Sequence, residues 1–199
     1  MKVDEWLNFF KNNKKKKLFS LYDLAQLTGE NKSSLSVQLT RLVKTNVINR
    51  IAQSWYENPF ATPSIEETSM VIRYPSYLSL EYSLSKHGIL SQTIHTLVLV
   101  TTKLPYTYKT DKAIYEYHQI KKSLFWGYKR EGTVLIAEPE KALLDLIYIR
   151  HMCNGEMTQN DIASIVNDMD LSELDEKKLH RYAKRFDPKM KNILHKLEI

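Results

Sequence analysis

The chain has 199 residues, 43% of them hydrophobic and 26% charged, with a net charge of +6 and a single cysteine. This is an ordinary core-forming composition, long enough for one large domain or two small ones. Lone Cys153 excludes an internal disulfide or a multi-cysteine zinc site, and is read as a small helix residue. No apolar run nears the ~18 residues of a membrane helix, so no membrane partner is expected. Asp4 and Glu5 precede the Lys14–Lys17 run, the reverse of an export signal, and the expected place is the cytoplasm. Charge is uneven: residues 1–60 carry ten Lys/Arg against five Asp/Glu, whereas 61–199 are near neutral. A basic first third points to a polyanion there.

Val3, Trp6, Leu7, Phe9 and Phe10 form the apolar side of a first helix, ended by the Asn12–Lys17 run NNKKKK. Those lysines are either a solvated turn or phosphate contacts. Leu18-Phe19 is short and suits a small strand. Leu21, Leu24, Ala25 and Leu27 recur at helical spacing, with Ser20 as the cap and Gly29 as a left-handed stop. A second helix over Ser33–Thr45 buries Leu35, Leu39, Leu42 and Val43. At 100° per residue, Ser33, Ser34, Val37, Arg41 and Lys44 then point outward. Asn46 suits a left-handed helix end. Val47–Ile51 and Ser54–Tyr56, about an Ala52-Gln53 break, suit a hairpin.

Helix, tight turn, helix and hairpin is the layout of a winged helix-turn-helix, whose second helix enters a DNA major groove. Arg41 is the first candidate for a base or phosphate contact. Gln38 and Ser34 are placed to reach base edges, with Val37 beside them. Lys32 and Ser33 suit phosphate binding at the helix start. Lys44 and Arg50 suit backbone phosphates.

Pro59, Thr62, Pro63 and Ser64 mark a change of regime, and the boundary is read between residues 60 and 61. Ile65–Tyr74 reads as a strand-like lead. Tyr77–Gly88 reads as a helix with Leu80 and Leu84 buried and Gly88 as the stop. Thr96–Thr101 reads as a buried strand and Ala113–Ile120 as a half-exposed one. Leu124–Tyr128 suits a strand or a turn, and Val134–Ala137 is a short strand. Pro139 then opens a helix to about Met152. Further helices are read from Thr158 through Ile162, Ile165, Val166 and Met169, over Ser172–Phe186, and over Lys189–Leu197. The expected fold is α+β: a winged helix over 1–60, then a mixed α/β domain over 61–199 with a helical C-terminal tail.

Catalytic signals are weak. Glu138-Pro139-Glu140-Lys141 has the wrong spacing for a restriction-type metal nuclease, because Pro139 cannot ligate. Glu138 and Glu140 straddle a helix start, where the dipole favours acids. None of His87, His95, His118, His151, His180 and His195 pairs at ligand spacing, and His87 suits a structural hydrogen bond at its helix end. The five glycines form no phosphate loop. No enzyme, metal or cofactor is expected.

Two segments about fifty residues apart carry a resemblance, YLSLEYSLSKHGIL from Tyr77 to Leu90 and VLIAEPEKALLDLIYIR from Val134 to Arg150. In order and spacing behind a winged helix, they resemble the AbiEi antitoxin family of type IV, abortive-infection toxin–antitoxin systems. The matching motif residues include Tyr77, Ser79, Ser83 and His87 in the first segment. Pro139, Glu140, Lys141 and Asp145 match in the second. The resemblance implies an autorepressor binding inverted repeats in its own promoter. It also implies an antitoxin countering a nucleotidyltransferase-like toxin, and thus a role in phage defence. The alternatives are a winged-helix regulator whose second domain senses a ligand or dimerises, and a nuclease subunit.

Overall fold

Local start and stop signals set the first helices. A computed structural model describes residues 1–92, 95–152 and 166–197, which divide into two units, Met1–Ile72 and Arg73–Ile199. The fold is mixed α+β. The sequence readings at Cys153, Thr158, Ile162 and Ile165 lie outside the described residues. Among the described residues, no helix is long and apolar enough to cross a membrane.

The first unit runs α1 (Val3–Asn12), β1 (Leu18–Ser20), α2 (Leu21–Thr28), α3 (Lys32–Lys44), β2 (Arg50–Ala52), β3 (Trp55–Glu57) and α4 (Ile65–Ile72). Ser20 caps α2: its hydroxyl accepts from the Asp23 N–H at 3.0 Å, and the Asp23 carboxylate accepts from the Ser20 N–H at 2.8 Å. Gly29 ends α2 at φ +72°, where a side chain would be strained. Asn31 caps α3 by accepting from the Ser34 N–H at 2.8 Å. The strands form one antiparallel sheet in the order β1-β3-β2, so Leu18-Phe19 is indeed a small strand. Trp6, Phe10, Phe19, Leu24, Leu35, Leu39, Leu42, Ile48 and Tyr56 make the core.

Three readings in this unit are corrected. The hairpin turn falls at Gln53–Ser54, with Ser54 at φ +62°, and Val47–Asn49 are not strand. Ile48 is drawn into the core at 2% exposure, and the Val47 N–H closes α3 on the Leu42 carbonyl at 2.9 Å. Second, 65–72 is a helix. Ser64 and Glu67 make a capping box, with Glu67 N–H to Ser64 Oγ at 3.1 Å and Ser64 N–H to Glu67 Oε2 at 2.7 Å. Two satisfied N-terminal donors outweigh the β-branched composition. Third, the boundary lies at Ile72/Arg73, not 60/61. Lys17 pairs with Glu67 of α4 at 2.9 Å, and buried Asn58 anchors the connection. Its Nδ2 lies 3.2, 3.1 and 3.0 Å from the carbonyls of Phe10, Asn13 and Lys16.

The second unit runs β4 (Ser76–Leu78), α5 (Leu80–Lys86), β5 (Thr96–Thr101), β6 (Tyr106–Lys109), β7 (Ile114–Gln119), β8 (Tyr128–Glu131), β9 (Val134–Ala137) and α6 (Pro139–Ile147). A π-helical turn, Tyr148–Met152, follows α6, and later come α7 (Glu176–Ala183) and α8 (Lys189–Lys196). The strands make a six-stranded sheet in the order β6-β7-β5-β4-β9-β8. Pairs β5/β7 and β4/β9 are parallel and the others antiparallel. The main core gathers Val98 and Val100 of β5 with Leu80, Leu84, Leu143, Leu144, Leu179 and Leu194 of the helices.

Tyr77 and Leu78, read as helical, lie instead in β4, opposite Val100 and Leu99. Strand neighbours on both sides override the local helical pattern, and α5 begins only at Leu80. Strand β6 escaped the sequence reading: it is four residues on a sheet edge and mostly exposed, too short for its Tyr106/Tyr108 alternation to stand out. The helix read from Ser172 starts at Glu176, because Asp175 caps it through the Lys178 N–H at 3.0 Å.

Candidate functional site

Two sets of residues stand out, one on the surface of the first unit and one inside the second. On α3, Leu35, Leu39 and Leu42 face the core, which turns Lys32, Ser33, Ser34, Val37, Arg41 and Lys44 outward, all exposed. The helix carries no acidic side chain. Arg41 and Lys44 lie in its last turn, where the dipole favours cations. Arg50 is exposed on β2, its Nε donating to the Ala52 carbonyl at 3.3 Å. Lys32 stands 4.9 Å over the Tyr22 ring.

Gln38 is not part of this face. It is half-buried, and its Oε1 accepts from the Trp6 indole N–H at 3.1 Å. Its amide donates to Ser34 Oγ at 3.1 Å and to the Glu30 carboxylate. Gln38 therefore fastens α3 to α1. Of the lysine run, Lys16 pairs with Asp23 at 3.0 Å and Lys17 with Glu67, while Lys14 and Lys15 are exposed. Burial pushes the Asp23 carboxyl up, but the hydrogen bonds from Ser20 and the Lys16 ammonium together hold it below the usual carboxylate range.

The two motif segments of the second unit close on each other. Lys141 and Asp145, one turn apart on α6, are both fully buried and ion-paired. Asp145 Oδ2 also accepts from the Tyr77 hydroxyl at 2.8 Å and the Ser79 hydroxyl at 2.9 Å. The Lys141 ammonium donates to Tyr77 Oη at 2.9 Å and sits 5.4, 5.2 and 5.3 Å from the ring centroids of Tyr77, Trp126 and Phe186. Gly127, at φ +78°, makes room for its stem: a Cβ there would lie 2.8 Å from Lys141 Cγ. Desolvation pushes the Lys141 pKa down and the Asp145 pKa up, each opposed by the partner's charge. Burial, reinforced by the Asp145 carboxylate, raises the Tyr77 phenol, so that it stays protonated as a donor.

Ser83 and His87 meet the second segment at its strand end. Ser83 Oγ donates to the Ala137 carbonyl at 2.9 Å, and His87 Nε2 lies 3.0 Å from the same oxygen. Pro139 opens α6 at its first position. Glu138 makes no side-chain cap. Instead it accepts from the Tyr182 hydroxyl at 2.6 Å and pairs with Lys129 at 3.0 Å and Lys178 at 3.3 Å. Buried Glu140 pairs with Lys178 at 2.8 Å. These carboxylates tie the start of α6 to α7.

Five of the eight motif residues, Tyr77, Ser79, Ser83, Lys141 and Asp145, are at 0% exposure. Tyr77, Ser79, Lys141 and Asp145 bind one another and Ser83 binds the Ala137 carbonyl, so their chemistry is that of a folded-in lock among β4, β9, α5 and α6. One signal for it was present: from Ala142 on, Asp145 is the one polar residue of α6, and it stands four residues after Lys141, a spacing at which the two can pair. The aromatic walls from Trp126 and Phe186 had no such signal. Among the described residues, no group of three or more His, Cys, Asp or Glu side chains gathers to hold a metal ion. No family model and no curated protein sequence matches the chain.

Proposed function

We propose that the chain is a cytoplasmic, DNA-binding transcriptional autorepressor and the antitoxin of a type IV toxin–antitoxin system, without catalytic activity of its own. In this reading the first unit is a winged helix-turn-helix and α3 its recognition helix. The observation that carries it is the outward face of α3: hydroxyls, a guanidinium and ammoniums, with no carboxylate on the helix. Such a face, in a basic unit, suits a phosphate-lined groove, where counterion release dominates affinity. The paired strands β2 and β3 supply the wing, with Arg50 on it.

The antitoxin half rests on the resemblance to the AbiEi family. The quoted motif residues that bury themselves serve as determinants of the fold, so the surface that counters the nucleotidyltransferase-like toxin consists of other, exposed residues of the second unit.

The test is a gel-shift of the chain on its own upstream region, with a salt series and random DNA as competitor. Specific binding that weakens steeply with salt supports the operator reading, and no binding at low salt removes it. Co-expression with a neighbouring nucleotidyltransferase-like protein tests the other half. Growth rescue by an Arg41→Ala/Lys44→Ala chain that no longer binds the operator would separate the two jobs.

A further inference from the structure

Val37 stands on the outward face of α3 and is the one apolar side chain among those exposed on it. At 100° per residue, the exposed positions follow around the helix as Lys32, Ser36, Thr40, Ser33, Lys44, Val37, Arg41 and Ser34. Val37 is 54% exposed, although α3 buries Leu35, Leu39 and Leu42 for its core contacts. Its neighbours one turn away, Ser33, Ser34, Thr40 and Arg41, are all polar and exposed.

The fold gains nothing from a valine there. Alanine is the better helix former at an exposed site, and Val37 keeps more than half of its surface exposed. A β-branched side chain on a helix is held in essentially one χ1 rotamer, so the two γ-methyls form a stiff apolar knob. Lys44 and Arg41 occupy the next positions around the helix on either side of that knob. The face thus sets one apolar group directly between two cations. A duplex major groove has the complementary layout, with phosphates along both walls and, on its floor, one apolar group: the thymine 5-methyl.

We propose that Val37 is a specificity residue that reads thymine, packing its γ-methyls against the 5-methyl group of a thymine when α3 lies in the major groove. This rests on the DNA-binding reading above. It also makes the face selective for B-form DNA over RNA, whose uracil lacks the methyl and whose deep, narrow major groove excludes side chains.

The test uses the full chain and duplexes of its own upstream region, made with thymine or with deoxyuridine across the protected segment. For the natural chain, uracil is expected to weaken binding about fourfold per contacted methyl, the equivalent of ~0.8 kcal/mol for one buried methyl-sized group. Val37→Ala should bind the thymine duplex about fourfold more weakly and lose its preference for thymine over uracil. Its melting temperature should be unchanged or slightly raised, since the site is exposed. Salt-dependent binding with equal affinity for both duplexes overturns the inference while leaving the DNA-binding reading intact. So does a thymine preference that Val37→Ala retains in full. Absence of salt-dependent binding to either duplex overturns both together.

Discussion

Lys44 and Lys141 carry the same ammonium group into opposite surroundings. Lys44 stands exposed on the outer face of α3, whereas Lys141 has no exposed surface and lies against Asp145, Tyr77 and Trp126. A surface charge keeps its water and remains open to a partner. A buried one has given up its water and is tolerated only because specific groups replace it. Polar residues at helical spacing thus mark an exposed face in the first unit and a lock in the second.

The largest effect should come from opening the lock. Asp145→Ala leaves the Lys141 ammonium buried without its countercharge and is expected to cost about 3–5 kcal/mol of stability. Urea denaturation measures it, and a change within about 0.5 kcal/mol, as for a surface site, would contradict the burial of the pair.

Gly127→Ala comes next. It combines a left-handed backbone with a Cβ 2.8 Å from Lys141 Cγ, and about 2 kcal/mol or more is expected. Gly132, at φ +61° with nothing within 4 Å, is the control. Gly132→Ala should cost only the backbone share, and equal losses at both sites would mean that Lys141 does not press on Gly127.

On the other side of the comparison, Arg41→Ala should weaken operator binding by about 1–3 kcal/mol at fixed salt and leave the unfolding midpoint alone. Operator affinity that survives both Arg41→Ala and Lys44→Ala would place the reading face elsewhere.

The smallest effect is pH-dependent. Burial pushes the Glu138 carboxyl up, but the Tyr182 hydroxyl with Lys129 and Lys178 outweighs it, holding Glu138 below its ordinary 4.5. A depressed carboxyl stabilises the fold above its unfolded pKa. That contribution fades as pH falls through the lower folded value. Because Lys129 is largely exposed, under about 1 kcal/mol is expected. Stability of Glu138→Gln between pH 6 and 3 should fall less steeply than that of the natural chain, and parallel curves would contradict the sign.

The first unit was more legible than the second, and particular residues show why. Ser20, Gly29 and the leucines of α3 act within one or two turns, so their pattern survives without knowledge of the rest of the chain. The Ser64–Glu67 capping box is just as local, yet it was passed over, because the β-branched run after it suggested a strand. Tyr77 was misread because its strand exists only through β5 and β9, which lie tens of residues away in sequence. Edge strand β6 was missed because it has almost no buried face of its own.

By itself, then, the sequence determined the uneven charge, the caps and stops of the short helices, the outward face of α3 and the proline start of α6. All of these rest on neighbouring residues and on one period of the backbone. Only the tertiary structure decided that Gln38 is taken up by Trp6 and that 65–72 joins the first unit. It likewise decided the strand order and the closure of the two distant motif segments around Lys141 and Asp145. The physical reason is desolvation: whether a polar side chain is free to meet a partner or bound into a lock depends on what folds over it, and the covering groups come from far along the chain.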